Sequence, residues 1–236
     1  NMSEKAELHG LELSTEVKRQ HERIDSSSWE NIYVVGDVHG CPEELDQLIS
    51  ELSPTGDELV VFVGDLVKQG PDSQAVIERV RRMENAVSVR GNNEQKLLDG
   101  KARIPALTDE DRRYIESMPV VVSWEGNLVV HGGVSPEKPL KQHSQKDLQE
   151  TRSLYGGGYE GVFWFEKYER DRRVFFGHTV LDAPLDAGEA IGLDTGCVYG
   201  GMLTAYDCGN DEFVTVEPDR KYRERNQSHI VSTRSL

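Results

Sequence analysis

Short continuous apolar runs alternate along the chain with segments of helical period. Asn31-Ile-Tyr-Val-Val runs straight into Gly36-Asp37-Val-His39-Gly40, and an amphipathic stretch follows with Leu45, Leu48, Ile49 and Leu52 at i, i+3, i+4 and i+7. Pro54-Thr-Gly56-Asp57 then turns the chain. Leu59-Val-Val-Phe-Val63, a continuous apolar run after Glu58, predicts a strand buried on both faces, and it delivers Gly64-Asp65-Leu-Val-Lys68-Gln69-Gly70. Asp72 and Ser73 can cap the next helix, on which Val76, Ile77, Val80 and Met83 share a face. Ala86-Val-Ser-Val89 predicts a third strand, ending in Arg90-Gly91-Asn92-Asn93-Glu94. This βαβαβ order predicts a parallel sheet whose polar turns collect at one edge, the edge where open α/β proteins hold their ligands.

The second half repeats the theme with different turns. A helical connector over 109–117 leads to a hairpin, Val120 to Trp124 and Asn127 to Val130, closed by Glu125-Gly126 and ending in His131-Gly132-Gly133. The polar, turn-rich segment 135–161, with Gly156-Gly157-Gly158 in it and a short helix over 147–152, reads as an excursion that partly covers the cleft. Arg173-Val-Phe-Phe176 predicts a strand that ends in Gly177-His178-Thr179. Strands near 190–193 and 202–207 bracket Asp194 to Gly201, and 212–216 adds another. One domain over 30–217 is expected, preceded by a polar arm (1–29, helical around Glu16 to Arg23) and followed by a polar, frayed tail (218–236).

Composition narrows the partners. With 42 acidic against 27 basic residues the formal charge is −15, which argues against a nucleic-acid duplex or an anionic membrane surface. No apolar run approaches the ~20 residues of a membrane span, and the polar N-terminus predicts no secretory signal, so a cytoplasmic protein is expected. Asn1 ahead of Met2 reads as a residue left by a tag and stays outside the fold reading. The three cysteines, Cys41, Cys197 and Cys208, are too few and scattered for a disulfide framework or a thiolate metal cage, and Cys41 and Cys197 read as packing residues near the cleft.

Collected, the strand-end residues are Asp37, His39, Asp65, Asn92, His131 and His178, each after an apolar strand and beside glycine. Carboxylate, amide oxygen and imidazole without thiolate are the donor set of a divalent ion such as manganese, iron or zinc. The set is too large for one ion and suits two if one carboxylate bridges; two such ions ~3.5–4 Å apart can hold a phosphoryl oxygen and activate water.

Gly36-Asp-x-His-Gly40, Gly64-Asp65…Gly70, Gly91-Asn92-x-Glu94, His131-Gly-Gly133 and Gly177-His178-Thr179 together resemble the phosphoprotein phosphatase family of dinuclear metallophosphoesterases, over about residues 30–216. More narrowly, Leu193-Asp-Thr-Gly-Cys-x-x-Gly-Gly201 with Leu203-Thr-Ala is similar to the bacterial symmetrical diadenosine tetraphosphatases and their relatives. The resemblance implies an α/β calcineurin-like metallophosphoesterase sandwich, central β-sheets flanked by helices, with a dinuclear metal site at the C-terminal ends of the strands. It implies one metal on Asp37, His39 and Asp65, a second on Asp65, Asn92, His131 and His178, and Arg152 as the arginine that holds substrate phosphate. The implied cofactors are two divalent ions, manganese first, with iron, zinc or nickel as alternatives. The implied reaction is attack of metal-bound hydroxide on phosphorus.

The departures from the family pattern bear on substrate. The residue after the liganding asparagine is a histidine in the family, the acid that protonates the leaving group, and it is oriented by an aspartate in Gly-Asp-x-x-Asp-Arg-Gly. Here those positions hold Asn93 and Lys68, and Gln69 stands for the arginine. The histidine and its aspartate are missing together, so Asn93 is read as a natural variant. An amide cannot serve as a general acid near neutral pH. Lys68 is therefore expected to act as a phosphate clamp or as the acid, which makes Asp65, Asn93 and Lys68 the candidates at the reacting centre and Arg152, Lys68 and Asn93 those toward substrate. A serine alkoxide needs protonation on leaving, whereas a phosphate, with a second pKa of about 6, needs little. The expected substrate is thus a small nucleotide anhydride, a dinucleoside polyphosphate such as diadenosine tetraphosphate. The alternatives are a serine/threonine-type protein phosphatase of the same fold, acting on a phosphoprotein, and a catalytically impaired metal- and nucleotide-binding protein.

Overall fold

In the computed structural model the described residues are 11–236. Two sheets face each other. The first has the order β11-β10-β2-β3-β4, with β2 (Asn31–Val35), β3 (Glu58–Phe62) and β4 (Ala86–Ser88) parallel and β10 (Leu203–Asp207) and β11 (Glu212–Val216) antiparallel. The second has the order β1-β5-β6-β7-β9-β8: β1 (His21–Arg23), β5 (Val121–Trp124), β6 (Asn127–Val129), β7 (Arg173–Phe176), β8 (Leu185–Asp186) and β9 (Ala190–Gly192). Within it β6, β7 and β9 run parallel.

The period-2 alternation of strands explains how the layers stack. Ile32 and Val34 of β2 and Leu59 and Val61 of β3 pack with Val122, Trp124, Val129 and Phe175 of the second sheet, forming the seam between the sheets. The intervening Tyr33, Val35, Val60 and Phe62 face the other way, onto α2 (Pro42–Leu52) and α3 (Ser73–Arg81), which follow the short α1 (Thr15–Lys18). Strands with both faces covered in this way read as continuous apolar runs. Pro42 at the first helical position and Leu45, Leu48 and Leu52 on the buried face give α2 its start and its packing. α4 (Asn92–Leu98), α5 (Asp109–Ser117) and α6 (Gln145–Glu150) complete the helices; α6 begins two residues before the expected 147 because Ser144, not a later residue, caps it through the Asp147 N–H.

The flanking segments differ from expectation. The predicted helix from Glu16 to Arg23 shortens to α1, and His21–Arg23 becomes an edge strand paired in parallel with Val121–Ser123. The tail is packed down: Val231 is buried, and its N–H donates to the Val180 carbonyl at 2.8 Å. Single apolar anchors such as Val17, Ile24 and Val231, too widely spaced to show a period, fasten both segments. Residues 1–10 of the expected arm, Asn1 included, lie outside the described residues. Among the described residues no helix is long and apolar enough to cross a membrane.

Candidate metal centre

Each of the six strands in the parallel runs β2-β3-β4 and β6-β7-β9 hands a polar side chain to the same edge. Asp37, His131, His178 and Asp194 come two residues after β2, β6, β7 and β9, while Asp65 and Asn92 follow β3 and β4. Facing sheets therefore converge their carboxyl ends on one point. All six strand-end residues predicted from sequence are brought together there, and Asp37, His39, Asp65, His131 and His178 are all buried.

Asp65 is the hub. Its Oδ2 lies 3.2 Å from His131 Nε2 and 3.7 Å from His39 Nε2, and it accepts a hydrogen bond from Asn93 Nδ2 at 2.8 Å. Its Oδ1 accepts the Asn93 backbone N–H at 2.9 Å. His131 Nε2 is also 2.9 Å from Asn92 Oδ1, and His39 Nε2 is 3.6 Å from Asp37 Oδ2. Asp65, His131 and His178 present ligand atoms within 4.8 Å of one another, as do Asp37, His39 and Asp194.

The donor chemistry fits cations. His131 Nδ1 is 2.8 Å from the Val63 carbonyl and His39 Nδ1 is 3.1 Å from the Val67 carbonyl, so each Nδ1 carries the proton. Each Nε2 then faces carboxylate or amide oxygens. Oxygens and imidazole nitrogens converging in this way call for positive charge among them, which a bound cation would supply, and a carbonyl behind the ligating imidazole is its usual support. Burial would lower the His131 imidazole, but the Asp65 carboxylate outweighs it and raises the imidazole, drawing positive charge to the same place. Without that charge the carboxyls strain against each other. Burial first, and then the charges of Asp194 and Asp65, push the Asp37 carboxyl well above the usual range. Burial would raise Asp65 too, but the adjoining His131 and His39 outweigh it and hold it low. Burial first, then Arg152, keeps the His178 imidazole neutral by lowering it well below its ordinary value.

The backbone is bent to serve this cluster. His39, Asp65 and His178 adopt φ of +46°, +53° and +66°, a left-handed conformation that costs a non-glycine residue of order 1–3 kcal/mol and concentrates at functional sites. Glu94, fully buried, secures the turn by accepting the N–H groups of Asp65 at 2.8 Å and Gly91 at 2.9 Å; burial first, then the Asp65 charge, push its carboxyl up to about 7.

A cavity of about 920 Å³ opens on the centre, lined among others by His39, Asp65, Asn92, Asn93, Arg152 and His178. Gly156 and Gly157 of the glycine-rich excursion line it as well. Arg152 donates to the His178 carbonyl at 2.8 Å, which places its guanidinium beside the cluster. Lys68 shares the Asp65 turn, with φ +70°, but of Lys68 and its neighbour Gln69 the one that lines the cavity is Gln69. Asp194 is not among the site residues expected from sequence, although it too is an acidic residue two positions past an apolar strand. Arg225 and Tyr199, also on the cavity wall, gave no sequence signal, because their places depend on the path of the tail. Cys41 and Cys197, distant in sequence, meet in the core beside Glu44, and contact with the Cys41 thiol, with burial, raises the Cys197 thiol.

Residues 30–202 match the family described as calcineurin-like phosphoesterase. The chain is 32% identical over 235 residues to a protein of Halalkalibacterium halodurans named bis(5'-nucleosyl)-tetraphosphatase PrpE, asymmetrical, covering 80% of this chain and 94% of that one. It is 29% identical over 217 residues to serine/threonine-protein phosphatase 1 of Salmonella typhimurium, covering 78% and 94%. A crystal structure of a protein proposed to be a diadenosine tetraphosphatase superposes with a TM-score of 0.74 at 26% identity, covering 84% of this chain and 97% of the other.

Proposed function

Because this chain belongs to the calcineurin-like phosphoesterase family and is a metal-dependent phosphohydrolase, we propose that its substrate is a dinucleoside polyphosphate such as diadenosine tetraphosphate. The observation that carries the reading is Asn93. Its amide is spent on Asp65 Oδ2 at 2.8 Å, so the position next to Asn92 holds a positioning residue where the family pattern has an acid. Hydrolysis without that acid suits a leaving group that departs as a stable anion, as a nucleotide phosphate does. The tetraphosphatase name of the Halalkalibacterium halodurans relative supports the same class.

In this reading Asp37, His39 and Asp65 hold one divalent ion, and Asp65, Asn92, His131 and His178 hold the other, with Asp194 backing Asp37. When bound, such ions lower the pKa of water toward neutrality and neutralise phosphoryl charge, manganese being the first candidate. The chain's own residues do the rest. His39 and His131 keep their Nε2 lone pairs directed inward by donating Nδ1–H to backbone carbonyls. Arg152 supplies planar N–H groups for phosphate oxygens. Asn93 fixes both oxygens of Asp65, one through its backbone and one through its side chain. Lys68, next to Gln69 of the cavity wall, keeps its proposed part as a phosphate clamp or as the acid. We place the enzyme in the cytoplasm.

The test is initial rates with manganese on diadenosine tetraphosphate, an aryl phosphate and a phosphoserine peptide. Fast cleavage of the first, slower turnover of the second and silence on the peptide are expected. Preference for the peptide would favour the protein-phosphatase reading, for which the Salmonella typhimurium relative speaks. Silence on all three, relieved by Asn93→His, would mean an impaired enzyme. The products also assign the bond: ATP with AMP for asymmetrical cleavage, two ADP for symmetrical.

A further inference from the structure

Beyond the metal centre, the cavity wall carries a second cluster built largely by the C-terminal segment. After β11 the chain returns over the strand-end face. Its course is fixed by the N–H groups of Tyr222 and Arg223, which both donate to the Val198 carbonyl at 3.1 and 3.0 Å, and by the Tyr222 hydroxyl, which donates to the Glu44 carboxylate at 2.9 Å. Arg225 then reaches the cavity. Its Nε donates to the His229 carbonyl at 2.7 Å, Nη1 to the Tyr199 hydroxyl at 3.1 Å and Nη2 to the Tyr159 hydroxyl at 2.9 Å. Its guanidinium lies over both rings, 4.8 Å from the Tyr199 centroid and 5.5 Å from that of Tyr159.

Arg152 lies over the same Tyr159 ring, 4.5 Å from its centroid. One tyrosine thus carries two guanidinium groups, both on the cavity wall, and Arg152 and Tyr159 also contact His178 of the metal cluster. Two like charges brought together repel, and the attraction of each to the ring offsets only part of that. Among the described residues no carboxylate oxygen lies within 4.0 Å of either guanidinium. In a chain with a formal charge of −15, an arginine pair that faces a cavity with no direct carboxylate contact among the described residues, Asp194 acting on Arg225 only at longer range, is complementary to an anion from outside. Three of the five Arg225 N–H groups are used, leaving two for a ligand. A third guanidinium, that of Arg223, donates to Gln69 Oε1 on the cavity rim. Gln69 stands where the family pattern has arginine, so the tail restores positive charge where the turn has lost it.

We propose that Arg225, on the Tyr159–Tyr199 platform, forms a subsite for the phosphates of a polyphosphate chain remote from the scissile one. Arg152 faces the reacting phosphate and Arg225 the phosphates beyond it. The proposal rests on the anhydride reading for its natural ligand but not for its test, since inorganic tripolyphosphate carries the same chemistry. Arg225→Gln is expected to lower the selectivity, kcat/KM for diadenosine tetraphosphate divided by that for an aryl phosphate, about tenfold or more, chiefly through KM. Arg225→Lys, which keeps the charge, should recover part of the loss. In calorimetry at a fixed manganese concentration, tripolyphosphate should bind Arg225→Gln about tenfold more weakly than wild type, with orthophosphate changed much less. Equal loss for orthophosphate and tripolyphosphate, or none for either, overturns the subsite. If the wild type fails to cleave diadenosine tetraphosphate while tripolyphosphate still discriminates between wild type and variant, the substrate reading falls and the subsite stands.

Discussion

Asp65→Asn is expected to lower kcat at least about 10³-fold on every substrate, with KM moving far less. No other side chain touches so many members of the centre. His131 Nε2 at 3.2 Å, His39 Nε2 at 3.7 Å and Asn93 Nδ2 at 2.8 Å all address its Oδ2, the only carboxylate oxygen within 4 Å of both imidazoles among the described residues. The asparagine keeps the size and the Oδ1 that accepts the Asn93 N–H, so the turn should survive while the charge shared by the two halves of the centre is gone. Steady-state kinetics with bound manganese measured in parallel checks this. A uniform loss on anhydride and aryl phosphate alike, together with reduced metal content, is the predicted outcome; retention of a tenth of wild-type kcat would mean that Asp65 does not join the two halves.

Gly91→Ala should damage the protein through the same carboxylate from the opposite side. A Cβ at Gly91 would sit 2.2 Å from Asp65 Oδ1 and 2.5 Å from the Asp65 nitrogen, closer than real Cβ contacts come. Gly91 also opens α4, and its N–H is held by Glu94, so the turn cannot swing away without releasing Asn92 and Asn93. Overpacking of this kind costs about 1–3 kcal/mol, and about 2–4 °C of Tm accompanies each kcal/mol in a chain of this size. Displacing the Asp65 carboxylate by even ~1 Å is expected to cost about 10²-fold in kcat. A thermal melt and a rate measurement on one preparation test both, and a variant with wild-type kcat would contradict the tight docking of the β4 turn on Asp65.

These two positions also explain why so much of the centre could be read from sequence. Asp37, His131 and His178 each stand two residues past a buried strand, and a parallel sheet places such residues at its carboxyl edge regardless of distant contacts. Asp194 obeys the same rule and was legible in principle. It follows β9, a strand of only three residues, Ala190–Gly192, whose weak pattern drew attention to the motif as a whole and away from its acid. The edge strand β1 and the packed tail, neither of them expected from the sequence, were hidden for another reason. β1 is the polar triplet His21-Glu22-Arg23, stabilised by backbone pairing to β5, and backbone pairing leaves no mark on composition.

The residues around substrate were least legible. Arg225 reaches the cavity only because Tyr222 docks on Glu44, a contact between positions 178 apart in the chain. Lys68 and Gln69, adjacent in sequence and both left-handed at φ +70° and +73°, part company at the cavity wall, which only Gln69 lines. Alternation along a strand can be counted; the direction of a side chain on a left-handed turn cannot, because it depends on what packs behind it. The acidity of the whole chain likewise said nothing of its cavity, whose wall carries Arg152 and Arg225 among its basic residues.

The central claim, a phosphoanhydride hydrolase that works through two ions joined by Asp65, is tested most directly by titrating manganese into metal-stripped protein while following bound ion and diadenosine tetraphosphate cleavage together. Two ions are expected to bind per chain, with the rate rising only as the second is taken up. Full cleavage at a single bound ion, or none at two, would contradict it.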